Sequence, residues 1–386
     1  MKIAFIRYPQ SLYSEKRVIR GGTEIANQAI IDYLRQLGET VVEFAPESRE
    51  RIDLISIPAI GTPLMFQDLL KRINEINNCD VVITSHWFGS ILPEITKPLI
   101  TLFHHDAKLV LRFSKLEIVE DKNILDKWLG KLGKHDLGQR NHQSLHDAII
   151  AVGEEELAKR SAVNVSVSGF LKKELLVDYN LSSDKIQVVY NGYDPSWEGS
   201  VKDLKKDYNS EKLSLACITR LPTDEAGIIL KGVDRMLEFF SQERTADKIL
   251  LGSTKGDQYQ KFFAEEKTIH FVENADRNAV FTTLAKSNIT IHTSRCESFG
   301  LSILESMLTK NVPIAFPTGI VDEVIKNGEN GFRVESLDEA YAIVARLDKD
   351  RRELARIANN AQQTVFDKMT PKLIGRKYRE IIQSII

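Results

Sequence analysis

The sequence predicts an α/β protein built on two parallel sheets, each covered by helices. Three observations carry this prediction. Short β-branched runs recur along the chain, helical patterns fill many of the intervals between them, and the series restarts after a charged stretch, Glu198–Lys212, where apolar periodicity fades. With 386 residues the chain exceeds what one hydrophobic core serves, roughly 250–300 residues, so two domains are expected. A content of 42% hydrophobic and 27% charged residues excludes a disordered chain.

The first series places strands at Lys2–Ile6, Val41–Phe44, Asp53–Ile57, Val81–Thr84, Leu99–Phe103, Ala148–Val152 and Ile186–Tyr190. The second places them at Leu213–Thr219, Lys248–Leu251, Ile269–Val272, Ile289–His292 and Val312–Phe316. Glu24–Leu37 reads as a helix because Ile25, Ala29, Ile30, Tyr33 and Leu34 share one face, and Pro371–Ile386 reads likewise through Leu373, Ile374, Tyr378, Ile381 and Ile382.

Several classes of protein are excluded. Lys and Arg total 52 against 54 Asp and Glu, a net charge of −2, which argues against a nucleic-acid partner held by bulk charge. Cys79, Cys217 and Cys296 are few, odd in number and without CxxC spacing, so neither a disulfide framework nor a zinc site is indicated, and a reducing cytoplasm fits. Met1–Ile6 reads as a buried strand, not a signal peptide, and no window reaches the ~18 apolar residues of a membrane span. No His/Cys/Asp trio has metal-ligand spacing, and no Gly-x-Ser-x-Gly elbow or Walker loop is present.

The stretch Lys108–Arg140 interrupts the pattern with eight Lys/Arg against five Asp/Glu, interleaved with apolar residues. It reads in two ways. Lys127, Lys131, Lys134 and Trp128 would form an acceptor-side or peripheral membrane surface at the inner face of a membrane, or the stretch is a solvated amphipathic helix packed on its own domain. The acids that break up the basic stripe favour packing.

Two segments carry chemistry. After the first strand, Arg20-Gly21-Gly22-Thr23-Glu24 leads straight into a helix. Adjacent glycines let backbone approach a ligand, and a helix start offers free N–H groups to an anion. The loop before them is too long for a nicotinamide-type turn. The second segment is Ser294-Arg295-Cys296-Glu297-Ser298-Phe299-Gly300-Leu301-Ser302-Ile303-Leu304-Glu305, which follows the strand Ile289–His292. Glu297 falls on a strand-to-helix loop, and the N–H groups around Phe299, Gly300 and Leu301 open the helix toward an anion at the carboxyl edge of the sheet. Glu305, four residues after Leu301, lies one turn further in on the same face, where a carboxylate can accept from vicinal hydroxyls such as those of a ribose. Spacing alone also fits a helix-start charge and a surface acid.

Glu297 and Glu305, with seven residues between them that include Ser298-Phe299-Gly300-Leu301, resemble the hallmark of the retaining nucleotide-sugar glycosyltransferases of family 4 and their relatives. Gly21-Gly22, Asn191-Gly192-Tyr193-Asp194, Arg220 with Lys231-Gly232, Gly319–Val324 and Asn327–Phe332 are similar to further family segments, so the resemblance covers nearly the whole chain. It implies the GT-B fold: two Rossmann-like domains facing across a cleft, with an acceptor-side domain at 1–195, a nucleotide-sugar domain at 196–368, and a terminal helix at 369–386 crossing back to the first domain. The implied activity is metal-independent, same-face transfer of a sugar, with no cofactor, from a nucleoside-diphosphate sugar to a saccharide or glycolipid hydroxyl. Arg220 and Lys231 would neutralise the departing diphosphate, Glu297 would hold the sugar hydroxyls, and Glu305 the ribose. Gly21, Gly22, Ser298, Phe299, Gly300 and Leu301 would bind the donor. His104, at the end of a strand, would contact the sugar, with His86, His105, Asp106 and Lys108 as neighbours of interest.

Two departures stand out. Thr219 replaces the family's usual glycine before the arginine, and Lys231 follows Arg220 by eleven residues, several more than usual. Leu221–Leu230 therefore reads as an inserted loop that either places Lys231 correctly by bulging outward or carries the lysine out of the site. A silent glycosyltransferase-like partner subunit is the alternative reading, and a sugar-nucleotide epimerase would need acids around the sugar ring that the sequence does not present.

Overall fold

The computed structural model describes residues 1–7, 22–45, 67, 69–85, 93–113, 119–132, 139–254 and 258–386. The expected strand Asp53–Ile57 lies outside them. Contacts divide the chain into two compact units, one of Met1–Leu109, Gln143–Asp194 and Thr370–Ile386, the other of Val110–His142 and Pro195–Met369.

The strands are β1 Lys2–Ile6, β2 Thr40–Phe44, β3 Val81–Thr84, β4 Leu99–Phe103, β5 Val163–Ser166, β6 Ile186–Val188, β7 Ser214–Leu221, β8 Asp247–Thr254, β9 Ile269–Glu273, β10 Ile289–His292, β11 Val312–Ala315 and β12 Phe332–Arg333. The helices that cover the sheets and frame the site are, in chain order, α1 Gly22–Gln36, α2 Lys122–Leu132, α3 Gln139–Arg160, α4 Glu225–Lys231, α5 Val233–Gln242, α6 Arg277–Lys286, α7 Leu301–Leu308 and α8 Pro371–Gln383.

The first unit holds a six-stranded parallel sheet in the order β2-β1-β3-β4-β5-β6. Alternation along β1 feeds a core on each face: Ile3 and Phe5 point to one, Ala4 and Ile6 to the other. The first of these cores also contains Ile374, Tyr378, Ile381 and Ile382 of α8, so the C-terminal helix covers the first sheet beside α1. Pro371 opens α8 at a position where a missing N–H costs nothing, and the Thr370 hydroxyl accepts from the Leu373 N–H.

The expected strand at Ala148–Val152 is instead part of α3. Its apolar run continues at helical spacing, with Ile150, Ala151, Leu157 and Ala158 buried and Val152 67% exposed. The apolar pattern of the sequence does not predict β5. Asn164 breaks its apolar run, yet in the structure Asn164 is buried and donates to the Ala158 carbonyl at 3.0 Å.

The second unit holds another six-stranded parallel sheet, β12-β11-β10-β7-β8-β9. Although α2 comes from the first half of the sequence, its Leu125, Trp128 and Leu132 join the core of this unit. Trp128 is 3% exposed and its indole N–H donates to Glu238 on α5 at 2.8 Å. Lys127 pairs with the same carboxylate at 2.6 Å, and Lys131 lies 4.5 Å over the indole ring. Trp128 is therefore a core anchor and not, as the surface reading of 108–140 has it, part of an exposed surface; Lys134 lies outside the described residues. Among the described residues no helix is long and apolar enough to cross a membrane.

Candidate active site

In the second sheet the chain leaves β7 toward β8 and β9 on one side, then returns beside β7 as β10 and continues outward to β11 and β12. The carboxyl ends of β7 and β10 thus flank a topological switch point, where open α/β sheets bind ligands. A small pocket opens there, with a cavity volume of about 10 Å³, and its walls include Thr219, His292, Ser294, Glu297, Ser302 and Thr318.

The stretch after Arg220 folds as a short turn and a helix. Asp224 caps α4 by accepting from the Gly227 N–H at 2.7 Å, and Gly232 ends it at φ 56°. That corner lies against the segment after β10, since a Cβ on Gly232 would stand 1.9 Å from the Thr293 carbonyl oxygen. The Arg295 N–H donates to the Leu230 carbonyl at 2.9 Å. The Arg295 guanidinium grips buried Asp234 of α5 through two bonds of 2.7 Å each. Fastened in this way, Lys231 reaches Glu297, Nζ to Oε1, at 2.7 Å. The inserted stretch therefore keeps Lys231 beside Glu297 and does not carry the lysine away from it.

Glu297 also accepts from the Ser294 hydroxyl at 2.9 Å, while its N–H donates to the Thr318 hydroxyl at 2.7 Å. Burial raises the Glu297 pKa, but the Lys231 charge and hydrogen bond, the Ser294 hydroxyl and the Arg220 charge outweigh it and hold the carboxyl below its usual range. Arg220 is exposed at the end of β7.

Phe299 is buried, and its carbonyl accepts from the Ile320 N–H at 3.0 Å. Gly300, at φ 97°, turns the chain into α7, whose first N–H groups have no preceding turn to bond. Ser298 and Leu301 are half-buried beside it. Glu305 is one turn further in, 7% exposed at its side chain, and pairs with Arg277 of α6 at 2.8 Å. Arg277 in turn lies 4.3 Å over the Trp197 ring. The structure therefore brings Lys231, Glu297 and the opening of α7 together, adds the Arg220 charge, and ties Glu305 to Arg277, a cation 28 positions before it that spacing alone does not link to it.

His104 and Gly22 belong to the first unit. Gly22 is the exposed first residue of α1, while Gly21 and His86 lie outside the described residues. His104 is buried at the end of β4, with Nε2 2.9 Å from Asn27 Oδ1. The Asn27 amide donates to the Ser85 hydroxyl at 2.8 Å, which turns its carbonyl oxygen to the ring, so Nε2 carries the proton. Burial, with the neighbouring His105, pushes the His104 pKa down to about 3, so its ring is neutral. Its neighbours are engaged within the fold. His105 faces Glu154 at 3.3 Å, Asp106 is fully buried and bonds Tyr179 at 3.1 Å, and Lys108 pairs with Glu155 at 2.9 Å.

His292, Asp234 and Arg277 were not singled out by the sequence. His292 ends the apolar strand β10 and reads as a core histidine there; Asp234 and Arg277 acquire meaning only through partners far along the chain. Among the described residues no group of three or more His, Cys, Asp or Glu could hold a metal ion.

Comparison with known families decides the assignment. A family model for "Glycosyltransferase Family 4" matches residues 20–197, and one for "Glycosyl transferases group 1" matches residues 228–364. The chain belongs to the family 4-like glycosyltransferases of the GT-B fold. This glycosyltransferase-family chain is 26% identical over 215 residues to an N-acetyl-alpha-D-glucosaminyl L-malate synthase of Bacillus anthracis, covering 52% of the chain and 54% of that relative. It spans about half the length of the curated relatives it matches. Its fold is that of Anabaena HepE, solved in complex with UDP and glucose, at a TM-score of 0.67 and 17% identity over 100% of both chains. It is also that of a sucrose-phosphate synthase from Thermosynechococcus elongatus, at a TM-score of 0.71 and 13% identity over 99% of this chain and 98% of that one.

Proposed function

We propose that the protein is a retaining hexosyltransferase that moves a sugar from a nucleoside-diphosphate sugar to a hydroxyl of a saccharide or glycolipid. The observation that carries this reading is the 2.7 Å Lys231–Glu297 pair at a switch-point pocket into which α7 opens. An ammonium, a nearby guanidinium and open N–H groups suit a departing diphosphate, whose charge grows as its bond to the sugar breaks. Lys231 and Arg220 supply that positive charge without recourse to a metal. Glu297, kept ionised, accepts from sugar hydroxyls, and Glu305 accepts from the ribose.

In the reaction the bond between the anomeric carbon and the diphosphate oxygen breaks. The acceptor oxygen bonds to that carbon on the same face, and its proton passes to the leaving phosphate. No covalent enzyme intermediate is needed. Polysaccharide or glycolipid assembly on the cytoplasmic side of a membrane is the setting this chemistry fits. What favours catalysis over a silent partner subunit is that the long stretch after Arg220 folds into α4 and returns Lys231 to Glu297.

The test is released nucleoside diphosphate from a panel of UDP-, GDP- and ADP-sugars, with Lys231→Ala and Glu297→Ala alongside. Each variant is expected to lose on the order of 100-fold in turnover or more. Unchanged turnover in both would defeat the assignment.

A further inference from the structure

On the donor reading above, we propose that His292 is a positioning residue: its ring holds the Ser302 hydroxyl in the first turn of α7 so that the Ser302 O–H donates to the distal phosphoryl group of the donor. His292 ends β10, is 8% exposed, and lines the switch-point pocket together with Ser302. Its ring lies between two hydroxyls, with Nε2 2.9 Å from Thr290 Oγ1 and Nδ1 3.3 Å from Ser302 Oγ. Thr290 Oγ1 in turn meets Ser306 Oγ. The four groups form one chain running from the pocket into the core.

A proton count sets the direction of that chain. Burial pushes the His292 pKa down to about 4 against a weaker opposing pull from Glu297, so the imidazole is neutral and carries one N–H. Three hydroxyls and one N–H bring four protons to three contacts, which leaves one proton over. If the chain ran inward from Ser302, the surplus O–H would sit on Ser306, which is fully buried and whose hydroxyl meets, among the described residues, only that of Thr290. A stranded buried donor is costly. Running outward, Ser306 donates to Thr290, Thr290 donates to Nε2, and Nδ1–H donates to Ser302. The surplus O–H then belongs to Ser302 at the pocket. There it joins the N–H groups that the first turn of α7 leaves open, which makes it a neutral donor suited to a phosphoryl oxygen.

The experiment combines two readouts on the full chain. The ¹⁵N shifts of His292 report its tautomer without any ligand, and Nδ1–H is expected. Donor KM and kcat are measured with the nucleotide sugar that the wild type turns over, for Ser302→Ala, His292→Gln, His292→Asn and the Ser302→Ala/His292→Gln double variant. Ser302→Ala and His292→Gln are each expected to raise donor KM about 10-fold with thermal midpoints kept near wild type, and the double variant is expected to be no worse than Ser302→Ala. His292→Asn, whose amide N–H stands near the Nδ1 position, is expected to recover part of the loss. A wild type that releases no nucleoside diphosphate from the whole panel sinks the donor reading itself. A working wild type with Nε2–H at His292, or with additive losses in the double variant, overturns this inference alone.

Discussion

Gly232→Ala separates the geometry of the donor loop from its composition. Gly232 sits at φ 56°, and an added Cβ would stand 1.9 Å from the Thr293 carbonyl oxygen. The left-handed backbone alone costs an alanine about 1–2 kcal/mol. The clash adds more, because the α4–α5 corner and the segment after β10 must part by about 1 Å before the contact is tolerable. That movement acts on the Arg295–Leu230 bond of 2.9 Å and the Lys231–Glu297 pair of 2.7 Å, neither of which survives such a separation. We expect a stability loss of about 3–4 kcal/mol in the second unit, and a fall in nucleoside-diphosphate release on the order of 100-fold, as for any 1 Å misplacement of a charged catalytic group. Gly38→Ala is the control. It too has a positive φ, 87°, but nothing lies within 4 Å of its added Cβ, so it is expected to cost only about 1 kcal/mol and no activity. Urea unfolding followed by hydrogen exchange reads the two units separately. Equal losses of stability and activity in the two variants would refute the reasoning.

Two further outcomes follow from burial. Trp128→Ala empties a core site and leaves Glu238 without its indole donor, so thermal unfolding of the second unit is expected to show a loss of roughly 3–5 kcal/mol; an unchanged midpoint would mean that α2 does not hold this core together. His104 and His292 have folded pKa values of about 3 and about 4, below the ordinary 6.5, so between these values the unfolded chain binds more protons than the folded one. Stability is therefore expected to fall as pH drops below about 6.5, with His292 contributing roughly 3 kcal/mol by pH 4. His292→Asn should flatten this acid limb in a pH series of urea midpoints, and an unaltered limb would contradict the burial argument.

Much of the fold is legible in the residues because parallel strands buried on both faces read as apolar runs, as Val81–Thr84 and Val312–Ala315 do. The failures have local causes. Ala148–Val152 is as apolar as a strand, and only the residues beyond it, through Leu157 and Ala158, reveal the helical period. At the site, the Glu297-to-Glu305 segment announces itself because its glycine, its acids and its preceding strand are contiguous. Lys231 does not, since eleven residues from Arg220 can be a loop or a turn and a helix, and the outcome rests on the Gly232–Thr293 approach and on Arg295 gripping Asp234 across 61 residues of sequence. The role of His292 is hidden for a different reason. A histidine ending an apolar strand looks the same whether its hydroxyl partners are present or not, and one of those partners, Ser302, belongs to the next helix.

Amide hydrogen exchange with and without UDP, GDP and ADP tests most directly whether the opened start of α7 receives a diphosphate. One of the three nucleotides is predicted to slow exchange at Phe299–Ile303, with the effect weakened in Lys231→Ala. Binding that protects other segments while leaving these amides unchanged, or no protection by any of the three, would contradict it.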